Sequence, residues 1–257
     1  MTARTFQQPP ATRMPSSAPT PLAWPAPGTI EVWSVPLRED WFAAARLLLD
    51  AEESARSDRF LVETPRLEWT VARAALRVVV GQALGQDARQ VCFFADTHGK
   101  PSVAGASGFH FNLTHTSGRA LIALGVENPL GIDLEVWSRA PRMGGLEEAI
   151  CAPQERTEIE RWTPEERNRF LLRLWTAKEA YLKAVGLGLG LPPTRVRLAW
   201  QEDGTARVAC GLGGQADDRF VIRPVPEQDA AGYVGHLATQ PDIEKIVVRN
   251  FGGFMLS

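Results

Sequence analysis

The chain has 257 residues, of which 44% are hydrophobic and 23% are charged, and its formal net charge is −2. This composition is typical of a globular protein, and the slightly negative charge argues against general nucleic-acid binding. No apolar stretch approaches the roughly 18 residues that span a bilayer. The three cysteines are far apart and form no Cys-x-x-Cys pair, which argues against a disulfide framework or a zinc site and favours the reducing cytoplasm.

The N-terminal part of the chain predicts a disordered tail followed by one strand and two helices. Residues 1–28 contain seven of the nineteen prolines and show no apolar periodicity, which is typical of disorder. Alternation predicts a strand at 30–35. Apolar residues at helical spacing predict helices at 39–55 and at 65–84, the second opened by its proline.

Two segments farther along carry candidate ligand-binding side chains. His98-Gly99-Lys100-Pro101 combines turn-forming residues with a lysine that offers positive charge. The segment 109–116 contains Asn112-Leu113-Thr114-His115-Thr116, which resembles a family's Asn-x-Ser-His-Ser run with threonines in place of both serines.

The run Gly131-Ile132-Asp133-Leu134-Glu135 predicts a strand. Side chains two residues apart on a strand share a face, so Asp133 and Glu135 are expected to point the same way. Two neighbouring carboxylates repel each other and are stabilised by a cation. Oxygen ligands suit a hard ion, above all Mg²⁺.

A long helical pattern follows Thr163-Pro164 and contains Trp175-Thr176-Ala177-Lys178-Glu179-Ala180-Tyr181-Leu182-Lys183. Lys178 falls within the apolar stripe of this helix, whereas Glu179 and Lys183 are one turn apart on its flank. Taken alone, an acid pair on a strand or a Glu–Lys pair on a helix is common in proteins without a ligand site. The combination of the two runs is the unusual feature.

Gly-Ile-Asp-Leu-Glu followed by Trp-Thr-Ala-Lys-Glu-Ala-Tyr-Leu-Lys resembles the paired signature of the 4'-phosphopantetheinyl transferase superfamily, in its larger, surfactin-synthetase type. The resemblance extends over about residues 30–240. It implies an α+β fold in which two similar α/β halves of one chain form a pseudo-dimer of antiparallel sheets packed with helices. We expect the halves at 29–128 and 129–257, the second carrying the metal ligands.

The resemblance also implies an activity and a site. Such an enzyme transfers the 4'-phosphopantetheine arm of coenzyme A to a serine of an apo acyl or peptidyl carrier protein and releases adenosine 3',5'-bisphosphate. The implied catalytic residues are Glu179, Lys183 and Asp133. The implied ligands of Mg²⁺, or of Mn²⁺ as a second possibility, are Asp133, Glu135 and Glu179. The implied coenzyme contacts are Arg56, Lys100, Pro101, Asn112, Thr114, His115, Lys178 and Lys183.

The expected partners are apo carrier protein domains of the fatty-acid, polyketide or nonribosomal-peptide type, with no nucleic acid and no membrane. Arg139, Arg142 and Met143 are candidates for the carrier-docking surface. Because the resemblance puts both halves of the site in one chain, we expect a working monomer in the cytoplasm.

The chain departs from the family pattern early in the helix at 65–84. Leu67, Glu68 and Trp69 stand where family members often carry basic or small polar residues, and Arg73 and Arg77 remain as the basic residues of this helix.

Three questions stay open at this stage. The acceptor of the serine proton is Glu179, a metal-bound water or His115. A Mg²⁺-dependent hydrolase of a pyrophosphate would use the same acids and lysines, with water as the acceptor. A protein that binds coenzyme A or a carrier without catalysis would keep part of the set, although the complete set of acids and Lys183 argues against this reading.

Overall fold

The computed structural model describes residues 24–95, 100–186, 191–226, 228 and 231–254. The predicted tail up to position 23 lies outside these residues, as do His98 and Gly99 of the predicted turn. The strands are β1 (Thr29–Pro36), β2 (Phe93–Ala95), β3 (Pro101–Val103), β4 (Phe109–Thr116), β5 (Arg119–Val126), β6 (Gly131–Val136), β7 (Arg197–Trp200), β8 (Ala206–Cys210), β9 (Asp217–Pro224), β10 (Tyr233–Thr239) and β11 (Lys245–Asn250). The α-helices are α1 (Phe42–Arg46), α2 (Ala51–Asp58), α3 (Glu63–Leu84), α4 (Glu147–Ile150), α5 (Pro153–Ile159) and α6 (Pro164–Val185).

Each half of the chain packs one 22-residue helix against one sheet. The first sheet has the order β11-β1-β5-β4 and carries α3, and the second has the order β6-β10-β9-β8-β7 and carries α6. Neighbouring strands are antiparallel except β1 and β11. This is the predicted α+β architecture of two similar halves. Among the described helices, none combines the length and the apolarity needed to cross a membrane.

The last strand returns to the first half of the chain. β11 pairs in parallel with β1 and covers what would otherwise be an open sheet edge. The sequence analysis assigned all of 129–257 to the second half. β11 departs from that expectation, because it belongs to the sheet of the first half. Its apolar run Ile246-Val247-Val248 was the signal available in the sequence.

A shared apolar layer joins the two sheets. Each half has its own hydrophobic cluster beneath its long helix. A third cluster takes residues from both sheets: Ile30, Val32, Leu121, Ala123, Leu130, Ile132, Leu134, Val225 and Leu237. The halves are therefore packed against each other by burial of apolar surface as well as connected by the chain.

The helix predicted at 39–55 is broken into shorter pieces. A 3-10 turn and α1 end near Arg46, and α2 starts anew at Asp50, whose side chain accepts the N–H of Glu53 at 2.9 Å. Glu53 in turn accepts the N–H of Asp50 at 3.1 Å. This reciprocal capping box satisfies two backbone donors and explains where the new helix begins.

The two arginines left open by the sequence both serve this packing. Arg77 is buried, donating to Glu53 at 2.5 Å and to the carbonyls of Ala88 and Val91 at 3.0 Å. Arg73 donates to the same Glu53 carboxylate. Their guanidinium groups hold α2 and α3 together through Glu53.

His236 on β10 is enclosed in the core of the second half. Its Nδ1 lies 2.7 Å from Oγ1 of Thr176, and its ring meets that of Trp200 edge-on with centroids 5.7 Å apart. Burial, and secondarily the charge of Arg173, lowers the pKa of His236 from 6.5 to about 3. The folded protein therefore keeps this imidazole neutral.

We expect this histidine to make stability depend on pH. The unfolded chain takes up a proton below about pH 6.5, whereas the folded chain does so only near pH 3. Its contribution is therefore complete above pH 6.5 and declines by up to about 1.4 kcal/mol per pH unit below it. Measured by urea unfolding, the free energy of unfolding should fall more steeply between pH 6 and pH 4 for the wild type than for His236→Asn, whose side chain cannot titrate. Equal slopes would contradict this assignment.

Candidate active site

The candidate site lies along a seam where β4 and β6 run side by side. Each is the edge strand of its own sheet, so their backbones are not paired in a common ladder. Asn112 on β4 bridges the gap, because its Oδ1 accepts the N–H of Ile132 on β6 at 2.9 Å. Asn112 is buried, and its carbonyl oxygen joins the halves rather than facing a ligand.

Two threonines of β4 reach the predicted acids of β6. Thr114 donates its hydroxyl proton to Asp133 at 3.1 Å, and Thr116 donates to Glu135 at 3.1 Å. Asp133 and Glu135 therefore point to the same side of their strand, as the two-residue period predicts. The hydroxyl of Thr114 is buried against Asp133, whereas the sequence predicted that it contacts the coenzyme.

Helix α6 brings the second motif onto this seam. Nζ of Lys183 lies 2.6 Å from Oδ1 of Asp133 and 3.2 Å from the carbonyl oxygen of Ile132. Glu179, one turn earlier, is close enough that the charge of Asp133 raises its pKa. The predicted catalytic set of Asp133, Glu179 and Lys183 is thus assembled in one place.

Glu179 differs from the other acids of the seam. Within the described part of the chain, its carboxylate makes no hydrogen bond and no ion pair. Burial is the main cause that raises its pKa above the ordinary value, Asp133 adds to the increase, and Lys183 opposes it. This carboxylate is available to a ligand without breaking an existing contact.

Glu135 is neutralised by a neighbour on its own segment. Arg139 forms an ion pair with it and is exposed, so its place at the carrier-docking surface stays a prediction. Burial raises the pKa of Glu135, with a smaller increase from Asp133, and Arg139 opposes both. Of the other docking candidates, Arg142 is exposed, but Met143 is only 2% exposed and packs in the core of the second half, so it cannot meet a partner.

The oxygen atoms of the three acids suit a hard cation, but the side chains are not spaced as the ligands of one ion. No group of three His, Cys, Asp or Glu side chains among the described residues has the spacing of a metal site. Lys183 and Arg139 instead neutralise two of the three predicted ligands. The oxygen-only donor set fits Mg²⁺.

Gly131 explains how α6 comes so near to β6. A Cβ atom at this position would lie 2.2 Å from the carbonyl oxygen of Ala180 and 2.3 Å from the backbone nitrogen of Ala184. Both are backbone atoms of α6, which cannot yield as a flexible side chain does. The absence of a side chain at Gly131 thus permits the approach by which Lys183 reaches Asp133.

His115 lies at the solvent end of the seam. Its side chain is exposed at the surface, yet the surrounding protein lowers its pKa, mainly through partial burial. The carboxylate of Glu68 raises that pKa and the ammonium of Lys183 lowers it, so both groups are neighbours of the imidazole. In the sequence, Glu68 was noted only as part of a departure from the family pattern.

Lys100 lies at the C-terminal end of α6, next to Lys183. Its Nζ donates to the carbonyl of Ala184 at 2.9 Å and to that of Leu130 at 3.4 Å. Lys100, Pro101 and His110 also line a cavity of about 480 Å³. Burial, and then the charge of Lys100, lowers the pKa of His110. The sequence analysis did not single out His110. The available signal was its position two residues before Asn112, which puts both side chains on one face of the strand.

Arg56 and Lys178 stand apart from the seam. The guanidinium of Arg56 is exposed and lies 5.2 Å from the centroid of Trp69. Lys178 is fully buried, with Nζ 2.6 Å from Oε2 of Glu155 and 2.8 Å from the carbonyl of Ile150. Its predicted coenzyme contact is corrected, because an ammonium enclosed in the core and paired there cannot reach a phosphate.

Two family profiles match the chain. The profile described as "4'-phosphopantetheinyl transferase superfamily" covers residues 129–234, and that described as "4'-phosphopantetheinyl transferase, N-terminal" covers residues 31–126. The 4'-phosphopantetheinyl transferase HetI of Nostoc sp. is 33% identical over 165 residues, which cover 62% of this chain and 70% of that protein. The chain belongs to the 4'-phosphopantetheinyl transferase superfamily. The predicted enzyme class and two-half fold are thereby confirmed.

Two further similarities are more distant. A 4'-phosphopantetheinyl transferase of Bacillus subtilis is 26% identical over 166 residues, which cover 65% of this chain and 71% of that protein. The crystal structure of a holo-ACP-synthase from Plasmodium yoelii covers 43% of this chain and 91% of its own, at 15% identity and a TM-score of 0.34. A structural likeness this weak supports no argument about the site.

We expect Gly131→Ala to destabilise this transferase strongly. The added methyl group meets the backbone of α6, and overpacking of this kind typically costs about 1–3 kcal/mol or more. Urea unfolding followed by circular dichroism measures the loss. Gly252→Ala is the matched control, because no atom lies within 4 Å of a Cβ there. Equal stability of the two variants would show that α6 does not require the glycine.

Proposed function

We propose that this transferase moves the 4'-phosphopantetheine arm of coenzyme A onto a serine hydroxyl of an apo carrier protein. The other product is adenosine 3',5'-bisphosphate. The observation that carries the proposal is the meeting of Asp133, Glu179 and Lys183 at the seam, in a chain of this family. These groups suit attack on a pyrophosphate, which requires positive charge beside the phosphorus and an acceptor for a proton.

The basic groups along the seam are the proposed anchors of coenzyme A. Lys183 contributes an ammonium beside the acids, and His115 is its neighbour at the solvent end. The cavity with Lys100, Pro101 and His110 is the proposed place of the adenosine 3'-phosphate end, because it combines a lysine and an imidazole with room for a ring. Arg56 remains a candidate for an outer phosphate.

Asn112 and Thr114 are assigned a different part in this proposal. Their side chains bond to Ile132 and Asp133 of β6. They therefore act on the coenzyme indirectly, by fixing the strand that carries the acids.

The proposed metal is Mg²⁺, with Mn²⁺ as a second possibility, and the residues that would hold it are Asp133, Glu135 and Glu179. When bound, the ion would neutralise charge on the pyrophosphate and stabilise the negative charge that develops on its oxygens. Arg139 and Lys183, which are paired with Glu135 and Asp133, would supply further positive charge beside the anionic substrate.

Glu179 is the proposed acceptor of the serine proton. Asp133 is already held by Lys183 and Glu135 by Arg139, whereas Glu179 has no partner among the described residues. A carboxylate acting as base must lie within hydrogen-bond reach of the hydroxyl it deprotonates. Its position beside Lys183 puts it next to the proposed pyrophosphate site.

The proposed partners are carrier domains of fatty-acid, polyketide or nonribosomal-peptide type. Arg142 and the partly exposed Leu146 follow β6 and offer positive charge and apolar surface to an acidic carrier helix. Since Asp133 and the groups of β4 come from one chain, we propose a working monomer. The cysteines Cys92, Cys151 and Cys210 are all unpaired, which supports the cytoplasm as the proposed location.

We expect intact mass spectrometry to show a gain of one phosphopantetheine arm on an apo carrier protein incubated with the enzyme, coenzyme A and Mg²⁺. Removal of the metal by a chelator should abolish the gain. A panel of carriers from the three classes ranks the partners. Cleavage of coenzyme A without a gain on any carrier would favour a hydrolase and contradict the proposal.

Glu179→Gln should lose transfer by about 100-fold or more while binding coenzyme A nearly as well as the wild type, because an amide neither accepts the proton nor binds a metal strongly. Rates come from the mass assay and affinity from calorimetry. Glu165→Gln, on the exposed first turn of α6, is the control and should behave as the wild type. Near-normal turnover of Glu179→Gln would remove this residue from the mechanism.

A further inference from the structure

The turn that follows His115 is held by side chains from both halves. Ser117 and Gly118 connect β4 to β5, and Gly118 has a φ of +76°, which favours glycine. The N–H of Gly118 donates to Oε1 of Glu68 on α3 at 2.9 Å. The hydroxyl of Tyr233 on β10 donates to the carbonyl of Ser117 at 3.0 Å. The turn is therefore fixed from two directions.

Further contacts hold Tyr233 and the turn in place. The guanidinium of Arg119, the first residue of β5, lies 4.7 Å from the centroid of the Tyr233 ring. The backbone N–H of Leu37 donates to the carbonyl of Gly118 at 2.9 Å. Both backbone groups of Gly118 are thus bonded, and the aromatic ring that reaches the turn is itself covered by a cation.

The position of the turn controls the groups proposed to meet coenzyme A. His115 lies two residues before it on the chain and is a neighbour of both Glu68 and Lys183. Thr116, the last residue of β4, holds Glu135 through its hydroxyl. A shift of the turn would therefore move the imidazole and one of the predicted metal ligands together.

We propose that Glu68 and Tyr233 are positioning residues that hold this turn so that His115 meets coenzyme A beside Lys183. The proposal rests on the proposed function of the same site. A carboxylate near a pyrophosphate repels it, so Glu68 is not suited to direct contact with the co-substrate. Its backbone bond to Gly118 gives it a role that an anion can fill.

The test compares variants that separate the hydrogen bond from the charge. Glu68→Ala loses both, whereas Glu68→Gln keeps an oxygen that accepts the N–H of Gly118. Tyr233→Phe keeps the ring over Arg119 and loses only the hydroxyl. Glu63→Ala, an exposed acid at the start of the same helix, is the control.

We expect Glu68→Ala to raise the KM for coenzyme A about tenfold with kcat changed by less than about twofold, the size of one lost hydrogen bond. Tyr233→Phe should raise KM by several-fold, at about the same kcat. Glu68→Gln and Glu63→Ala should stay close to the wild type. A KM unchanged in both Glu68→Ala and Tyr233→Phe overturns the proposal. Equal increases in Glu68→Gln and Glu68→Ala overturn it as well, because charge would then explain the effect.

Amide hydrogen exchange gives a readout that does not need activity. The peptide that contains Gly118 should exchange faster in Glu68→Ala than in the wild type and at the wild-type rate in Glu68→Gln. Unchanged exchange in Glu68→Ala shows that the side chain does not hold the turn. Failure of the wild type to transfer the arm would instead overturn the proposed function, and the exchange data would still decide whether the turn is held.

Discussion

The structure depends on the direct contact between the first residue of β6 and the backbone of α6. Gly131 has no side chain, so the strand lies against Ala180 and Ala184 of the helix. This distance allows Lys183 to bond Asp133 at 2.6 Å and the strand carbonyl before it at 3.2 Å. The glycine at the start of one motif thus allows the other motif to come within hydrogen-bond reach. This explains why the two motifs lie so close together in the folded protein.

The seam between β4 and β6 joins the halves through polar side chains where a continuous sheet would use its backbone. Thr114 and Thr116 of one half supply hydroxyl donors, and Asp133 and Glu135 of the other supply acceptors. Such an arrangement leaves carboxylates at the interface of the halves, partly withdrawn from water, where burial raises the pKa of Glu135. The candidate active site between the two halves therefore lies where two sheet edges meet without pairing.

Local periodicity predicted much of the fold and part of the site. The two-residue period of strands placed Asp133 and Glu135 on one face, and the 3.6-residue period of helices placed Lys178 in the core. The same 3.6-residue period placed Glu179 and Lys183, which are four residues apart, together on one flank of α6. These features depend only on residues near each other in the chain, which is why they can be inferred without knowing what packs against them.

The sequence by itself determined the family, the two-half architecture that the family resemblance implies, and the acids and Lys183 that meet at the seam. Only the tertiary structure decided which partners those groups take: Lys178 pairs with Glu155, Arg139 with Glu135, and β11 with the first sheet. It also revealed Glu68 as a partner of the turn after β4. The physical reason is that ion pairs, edge pairings and backbone bonds join residues far apart in the chain, whose meeting is set by packing rather than by local pattern.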